Sequence, residues 1–247
     1  MMKFLKRYFQ IVGFMIVCVI FFVLVRTTLL IVENSSWVRN SHPFQQTNAR
    51  VKLKILFIGD STAVGTGAKD PRDSVAGRFG QDFPQAQILN LGINGQSTHQ
   101  LAETIDPKSL GHYDLVVVQI GGNDILRFTN LSNLEKDLDH LLAKVHQISD
   151  KIVLLHSGNV GLAPFFPRFL QRFWTEQTLR VRSLFIHYAK KYQTIYVDLF
   201  ADREHDILSQ DIDKYYSPDL LHPSGEGYGV WYQSIRTTMT KEGLRLE

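Results

Sequence analysis

The sequence predicts an α/β domain, an open parallel sheet with helices on both faces, preceded by one apolar N-terminal helix. Three observations carry this. Five short β-rich runs lie between residues 53 and 200, each apolar almost throughout rather than alternating, as in strands covered on both sides. Segments of helical spacing separate them, and that alternation builds parallel sheets through crossover connections. Ahead of them stands an apolar stretch long enough to cross a bilayer.

That first element begins after Lys3, Lys6 and Arg7. Residues 9–25 carry no charge, and beyond Arg26 the run TTLLIV keeps the apolar character to Val32. About twenty helical residues span the hydrocarbon core, so residues 9–32 are expected to be a transmembrane signal-anchor, with Arg26 snorkelling to the headgroups. The alternative is secretion after signal cleavage. It is disfavoured by the length of the run and by the lack of a small-x-small site after Val25. The basic residues hold the 1–8 end in the cytoplasm, giving a single-pass membrane protein whose folded part lies on the outer (periplasmic or extracellular) side. Residues 33–50, polar and aperiodic, are expected to be a linker to a domain spanning 51–247.

Strands are expected at 53–59 (LKILFIG), 87–92 (QILNLG), 114–121 (DLVVVQIG), 151–157 (KIVLLHS) and 194–200 (TIYVDLF). Over 134–148, Leu134, Leu138, Leu141, Leu142 and Val145 form one helical stripe. Residues 175–192 and 224–240 also read as helices, the last entered through His222-Pro223-Ser224. The segment 161–174, GLAPFFPRFLQRFW, sets aromatic residues at helical spacing with Arg168 and Arg172 opposite. It is expected to be a helix, either packed on the core or serving as a flap at an acyl pocket or bilayer surface. In the flap reading Phe165, Phe166 and Phe169 are the substrate-binding side chains. A net charge of +3 without any basic block excludes nucleic acid as a partner. The single cysteine, Cys18, excludes a disulfide framework within one chain.

Ligands of open parallel sheets bind beyond the carboxyl ends of the strands. There the chain carries Gly59-Asp60-Ser61, NLGINGQST, Gly121-Gly122-Asn123-Asp124 and, after the fifth strand, YYSPDLLHPSGEGY. A phosphate loop needs Gly-Lys-Ser/Thr, which GDSTAVGTGAKD lacks, and Asp70 stands where a dinucleotide fingerprint would need its third glycine. As a nucleophile Ser61 needs a base and the base an orienting acid. Asp219 and His222, three residues apart, supply both, the carboxylate fixing the tautomer that turns the other ring nitrogen to Ser61. Donors for an oxyanion are the N–H groups of Ser61 and Gly95 and the side-chain amide of Asn123. Asp60 and Asp124 read as turn residues. The other histidines lack ligand spacing, so neither a metal nor another cofactor is called for.

These blocks, Ser61 in Gly59-Asp60-Ser61, Gly95 in NLGINGQ, Asn123 in Gly122-Asn123-Asp124, and Asp219 with His222, resemble in order and spacing the SGNH/GDSL hydrolases over about residues 53–235. Thr62 stands in place of the leucine of the GDSL tetrad. The resemblance implies a three-layer, flavodoxin-like fold with strand order 2-1-3-4-5, and ester hydrolysis through an acyl-serine intermediate. The expected function is that of a membrane-anchored serine esterase acting on a lipid, lysophospholipid or short acyl ester. The alternatives are a deacetylase or O-acyltransferase of envelope carbohydrate, or a non-catalytic lipid- or glycan-binding module.

Overall fold

The structure is a computed structural model and describes residues 2–49 and 51–246. Five strands, Leu53–Gly59 (β1), Ala86–Asn90 (β2), Leu115–Gln119 (β3), Ile152–Leu155 (β4) and Ile195–Val197 (β5), pair in parallel in the order β2-β1-β3-β4-β5. They match the five expected runs: β1 in full, β2 begun one residue earlier and ended two earlier, and the other three shortened at both ends, most at the carboxyl edge where the chain leaves the ladder to build loops. Successive side chains of a strand face opposite sides, and both sides are buried here. Ile55 and Phe57 point into one core with Leu115 and Val117, while Leu56 and Ile58 point into the other with Val116 and Val118.

The helices, in chain order, are Met2–Asn40 (α1), Ser61–Val64 (α2), Val75–Asp82 (α3), Thr98–Thr104 (α4), Pro107–Leu110 (α5), Gly122–Leu126 (α6), Leu131–Val145 (α7), Gln171–Lys191 (α8), Ile207–Gln210 (α9), Ile212–Tyr215 (α10) and Gly225–Lys241 (α11). Helices α3 and α11 cover the first core, where Phe79 meets Phe57 edge-on at 5.4 Å and Tyr232 at 5.2 Å. Helices α4, α7 and α8 cover the second. The stripe read on α7 is fully buried, at about 1.5–3 kcal/mol per aliphatic side chain. Ser224 caps α11, accepting from the Gly227 N–H, at the entry the sequence indicated.

Two expectations fail. The 161–174 segment is not one helix: a single 3-10 turn, Val160–Leu162, is followed by irregular chain until α8 begins at Gln171. Pro164 and Pro167 explain this, since each removes a helical donor and pushes the residue before it toward extended backbone. Nor are residues 33–49, the described part of the expected 33–50 linker, a loose tether. Helix α1 runs unbroken to Asn40. The chain after it then lies along the open edge of β2: Gln46 forms an antiparallel bridge with Ile88, and the Gln45 side chain bonds both the N–H and the carbonyl of Asn90. Covering an exposed strand edge satisfies its free donors and acceptors. Among the described residues, α1 is the helix long and apolar enough to cross a membrane by length and composition, the stretch Phe21–Asn40 having mean hydropathy 1.3.

Candidate active site

Strands β1 and β3 are neighbours, yet the chain leaves them in opposite directions, toward β2 and toward β4. A crevice opens beyond their carboxyl ends, the position where such sheets bind ligands. Gly59 permits the closure of β1 on β3: with φ of +144°, a Cβ there would sit 1.8 Å from the Gln119 carbonyl oxygen. Asp60, next in line, caps α2. Its Oδ1 accepts from the Thr62 N–H at 2.9 Å and the Thr62 hydroxyl at 2.8 Å, and its Oδ2 accepts from the Gly122 N–H at 3.3 Å. The capping carboxylate thus ties the β1 loop to the β3 loop. Gln119 adds a second tie, donating to the Thr62 carbonyl at 3.1 Å. Ser61 is thereby fixed as the first residue of α2, at the mouth of the crevice.

The loop before α11 closes over it from the far side. Gly67 makes room, because a Cβ there would lie 2.3 Å from the Pro223 carbonyl oxygen and 2.9 Å from His222 Cβ. Within the loop Leu220 takes the left-handed conformation, φ +59°, at a cost on the order of 1 kcal/mol for a residue with a side chain. Two bonds hold it there: its N–H donates to the Ser217 carbonyl at 2.9 Å, and its carbonyl accepts from the Phe165 N–H at 2.8 Å. That turn folds Asp219 back onto His222. Asp219 Oδ2 lies 2.7 Å from His222 Nδ1, and His222 Nε2 lies 2.8 Å from Ser61 Oγ. Asp219 Oδ1 accepts from Ser217 Oγ at 2.6 Å and from the N–H groups of Leu221 and His222, both at 2.9 Å.

The electrostatics follow from these contacts. Burial alone would raise the Asp219 carboxyl. The hydrogen bond and charge of His222, with the Ser217 hydroxyl and the His222 N–H, outweigh it and hold the group at about 2. Asp219 is therefore a carboxylate through the neutral range, able to hold the Nδ1 proton and to stabilise an imidazolium. Asp60 goes the other way. Its complete burial dominates the bonds from Thr62 and Gly122 and the pull of His222, and pushes it up to about 6.

Gly95 and Asn123 stand on the opposite bank. The Gly95 carbonyl is turned away to Arg127 Nη2 at 2.9 Å, and Asn123 Nδ2 is oriented by the Gln96 carbonyl at 3.1 Å. Among the described residues no acceptor engages the N–H of Ser61 or of Gly95. Asp124 is buried beneath, its Oδ2 accepting from the Thr98 N–H and hydroxyl and its Oδ1 from Thr129, so it anchors α4 to α6. Of the five residues expected at the chemistry, Ser61, Gly95, Asn123 and His222 line one cavity of about 200 Å³, and Asp219 is buried behind His222. Its deeper wall is apolar: Leu126, Val160, Ala163, Leu199, Leu208 and Trp231. Serine, imidazole and carboxylate in this order can pass a proton from hydroxyl to ring, and unengaged donors nearby can receive a developing negative charge.

The three phenylalanines expected at the substrate are not on that wall. Phe166 stacks on Trp174 at 3.9 Å within the core, Phe165 is half-buried beside it, and Phe169 is 71% exposed. Sequence reasoning also missed contributors. Ser217 was unremarked in YYSPD, although a hydroxyl two residues before an aspartate is a recognisable turn partner. Asn34 and Val38 of α1 line the cavity, and nothing in the polar stretch 33–50 marked them. Among the described residues no cluster of three or more His, Cys, Asp or Glu side chains is placed to hold a metal ion.

Residues 57–230 match the GDSL-like Lipase/Acylhydrolase family. No curated protein sequence matches the chain. Among solved structures the fold is similar to that of LAE5, an α/β hydrolase from the metagenome of Lake Arreo, Spain (TM-score 0.60, 19% identity, covering 79% of this chain and 98% of that one). It is also similar to the lipase Lip_vut3 from a goat rumen metagenome (0.56, 19%, 76% and 97%). A third likeness is to an acetyl xylan esterase from Geobacillus stearothermophilus (0.55, 18%, 80% and 97%). With the matched residues running from the end of β1 into α11 and enclosing the whole crevice, this chain belongs to the GDSL-like lipase/acylhydrolase family of SGNH-type serine hydrolases.

Proposed function

We propose that this protein is a membrane-anchored serine esterase. One observation carries the chemistry: Ser61 Oγ and His222 Nε2 are 2.8 Å apart, with Asp219 on the other ring nitrogen. Ser61 Oγ attacks the ester carbonyl carbon while His222 takes its proton, and Asp219 holds the ring and balances its charge. The tetrahedral oxyanion is bound by the N–H groups of Ser61 and Gly95 and by the Asn123 amide. His222 returns the proton to the leaving alcohol, and an acyl-Ser61 ester remains. Water attacks that ester through the same imidazole, giving the carboxylic acid and free Ser61.

The apolar wall and the small volume of the cavity favour an acyl group of short to medium length, since drug-sized ligands occupy roughly 300–1,000 Å³. The bilayer segment of α1 is residues 9–25, shorter than the 9–32 expected from the sequence because Arg26 docks on the domain, with the basic residues before it on the cytoplasmic side and the catalytic domain outside. Retention of the segment is supported by the docking of α1 beyond residue 25 against the domain. Arg26 donates to the carbonyls of Pro164 at 2.6 Å and Phe165 at 2.9 Å, where headgroup contact was expected from the sequence. The test is hydrolysis of p-nitrophenyl esters of graded length by the full chain in detergent. The expected result is a maximum at short to medium chains and a loss of roughly 10⁴–10⁶-fold in kcat in Ser61→Ala. Absence of hydrolysis together with no fluorophosphonate adduct on Ser61 refutes the reading.

A further inference from the structure

Helix α1 does more than lie beside the catalytic domain. Asn34 donates from Nδ2 to Asp219 Oδ2 at 3.3 Å and stands 3.5 Å from His222 Nδ1. One turn on, Val38 forms part of the cavity wall, and its carbonyl accepts from Asn94 Nδ2 at 3.0 Å. At the end of the helix Ser41 Oγ meets Thr66 Oγ1 at 2.9 Å and accepts from Asn94 Nδ2 at 3.0 Å. Two turns before Asn34, Arg26 holds the carbonyls of Pro164 and Phe165, and the Phe165 N–H in turn holds Leu220, the strained residue between Asp219 and His222. Arg26, Asn34, Val38 and Ser41 recur at intervals of eight, four and three residues. These steps keep them on one face of a helix.

We propose that the stretch of α1 from Arg26 to Asn40 is a working wall of the active site and that Asn34 is a positioning residue for the Asp219–His222 pair. The inference rests on the esterase reading and extends it: the same helix that anchors the chain completes the acid–base machinery. Asn34 supplies the second donor to Asp219 Oδ2, the oxygen that carries the imidazole. It thereby fixes the plane in which the carboxylate meets Nδ1, and its removal leaves that oxygen with the imidazole as its only side-chain partner. The ester bound at Ser61 lies against Val38, so one side of the specificity pocket is made by the anchor.

The titratable groups facing His222 are Asp219 from its own loop and Asp60 from the β1 loop, with Asp206 farther along the cavity wall. On α1, Glu33 is engaged by Trp37 Nε1 and Arg26 by the two carbonyls, so position 34 is the place where a new charge reaches the imidazole directly. The experiment uses the full chain in detergent with p-nitrophenyl butyrate. Asn34→Ala is expected to lower kcat about tenfold with KM within about twofold of wild type. Asn34→Asp sets a carboxylate beside the imidazolium and is expected to move the acidic limb of the kcat/KM profile upward by half a pH unit or more, a shift that a merely structural role would not produce. Docking has its own readout: in a Cys18→Ser background, Ser41→Cys with Thr66→Cys is expected to form a disulfide on oxidation and to keep activity. Wild-type kcat and an unmoved pH profile in both Asn34 variants would overturn the positioning role. Failure of the cysteine pair to cross-link would overturn the docked wall. A wild-type chain that hydrolyses nothing and takes no fluorophosphonate would overturn the esterase reading instead, while the cross-link still reports on the helix.

Discussion

The crevice between β1 and β3 and the aromatic segment between β4 and α8 lie on the same edge of the sheet and are built in opposite ways. In the crevice the carboxylates are bonded: Asp60 to the β1 and β3 loops, Asp124 to Thr98 of α4 and to Thr129, Asp219 to its own turn and its histidine. The backbone comes close where glycine allows it, as at Gly59 and Gly67. The aromatic segment is bonded through its backbone, whose carbonyls accept from Arg26 and Gln171, and its rings are held by no hydrogen bond. Phe166 is absorbed by Trp174, while Phe169 and Phe173 stand 71% and 58% exposed. The difference teaches that position in the crevice is set by directional contacts with one geometric solution each. An apolar period reports burial only where the backbone is free to be helical.

The comparison can be broken most severely at Asn123. Asn123→Ala removes an oriented donor and is expected to lower kcat by about 10²–10³-fold, some 2.7–4 kcal/mol in the barrier, with little change in KM. A loss below fivefold would mean that backbone N–H groups carry the oxyanion alone. Asp60 gives the next effect, read in stability. Its folded value of about 6 exceeds the roughly 3.9 of an unfolded aspartate, so the folded state keeps the proton longer. Its contribution is fully present below about pH 4 and is lost as pH rises through 6, on the order of 3 kcal/mol. The stability of wild type minus that of Asp60→Asn, read by thermal unfolding, should therefore fall as pH rises from 4.5 to 7.5, and a difference of constant size would refute the raised value. The smallest effect is expected in the aromatic segment. Phe169→Ser should change hydrolysis of soluble acetyl and octanoyl esters alike by less than about twofold, and a selective loss on the longer ester would return Phe169 to the substrate.

The strands were legible because a sheet covered on both faces demands apolar residues at every position, and few other structures do. The candidate site was legible because Ser61 and Asn123 open short helices at strand ends and Asp219 and His222 share one loop, all beside glycine and aspartate, which are turn-forming. Three things escaped for physical reasons. Spacing alone could not weigh Pro164 and Pro167 against the seven large apolar residues of 161–174. The contact between Asn34 and Asp219 spans 185 positions of chain and leaves no local pattern. The Gln45 and Gln46 contacts along β2 depend on an edge that exists only once the sheet is assembled.

An unbroken α1 has a geometric consequence. A rod of 39 residues is about 58 Å long, and each residue adds about 1.5 Å of rise and 100° of rotation. Under the proposed anchoring, with residues 9–25 in the bilayer, the stiff stem would set both the altitude of the crevice and the compass direction in which its mouth opens. Lengthening the stem by one residue below Arg26 would lift the mouth slightly but swing it through more than a quarter circle relative to the lipid-facing residues. An enzyme anchored in the proposed way would sweep a thin shell above its membrane, and the reach of its chemistry would be measured by a count of helical residues rather than by diffusion on a tether.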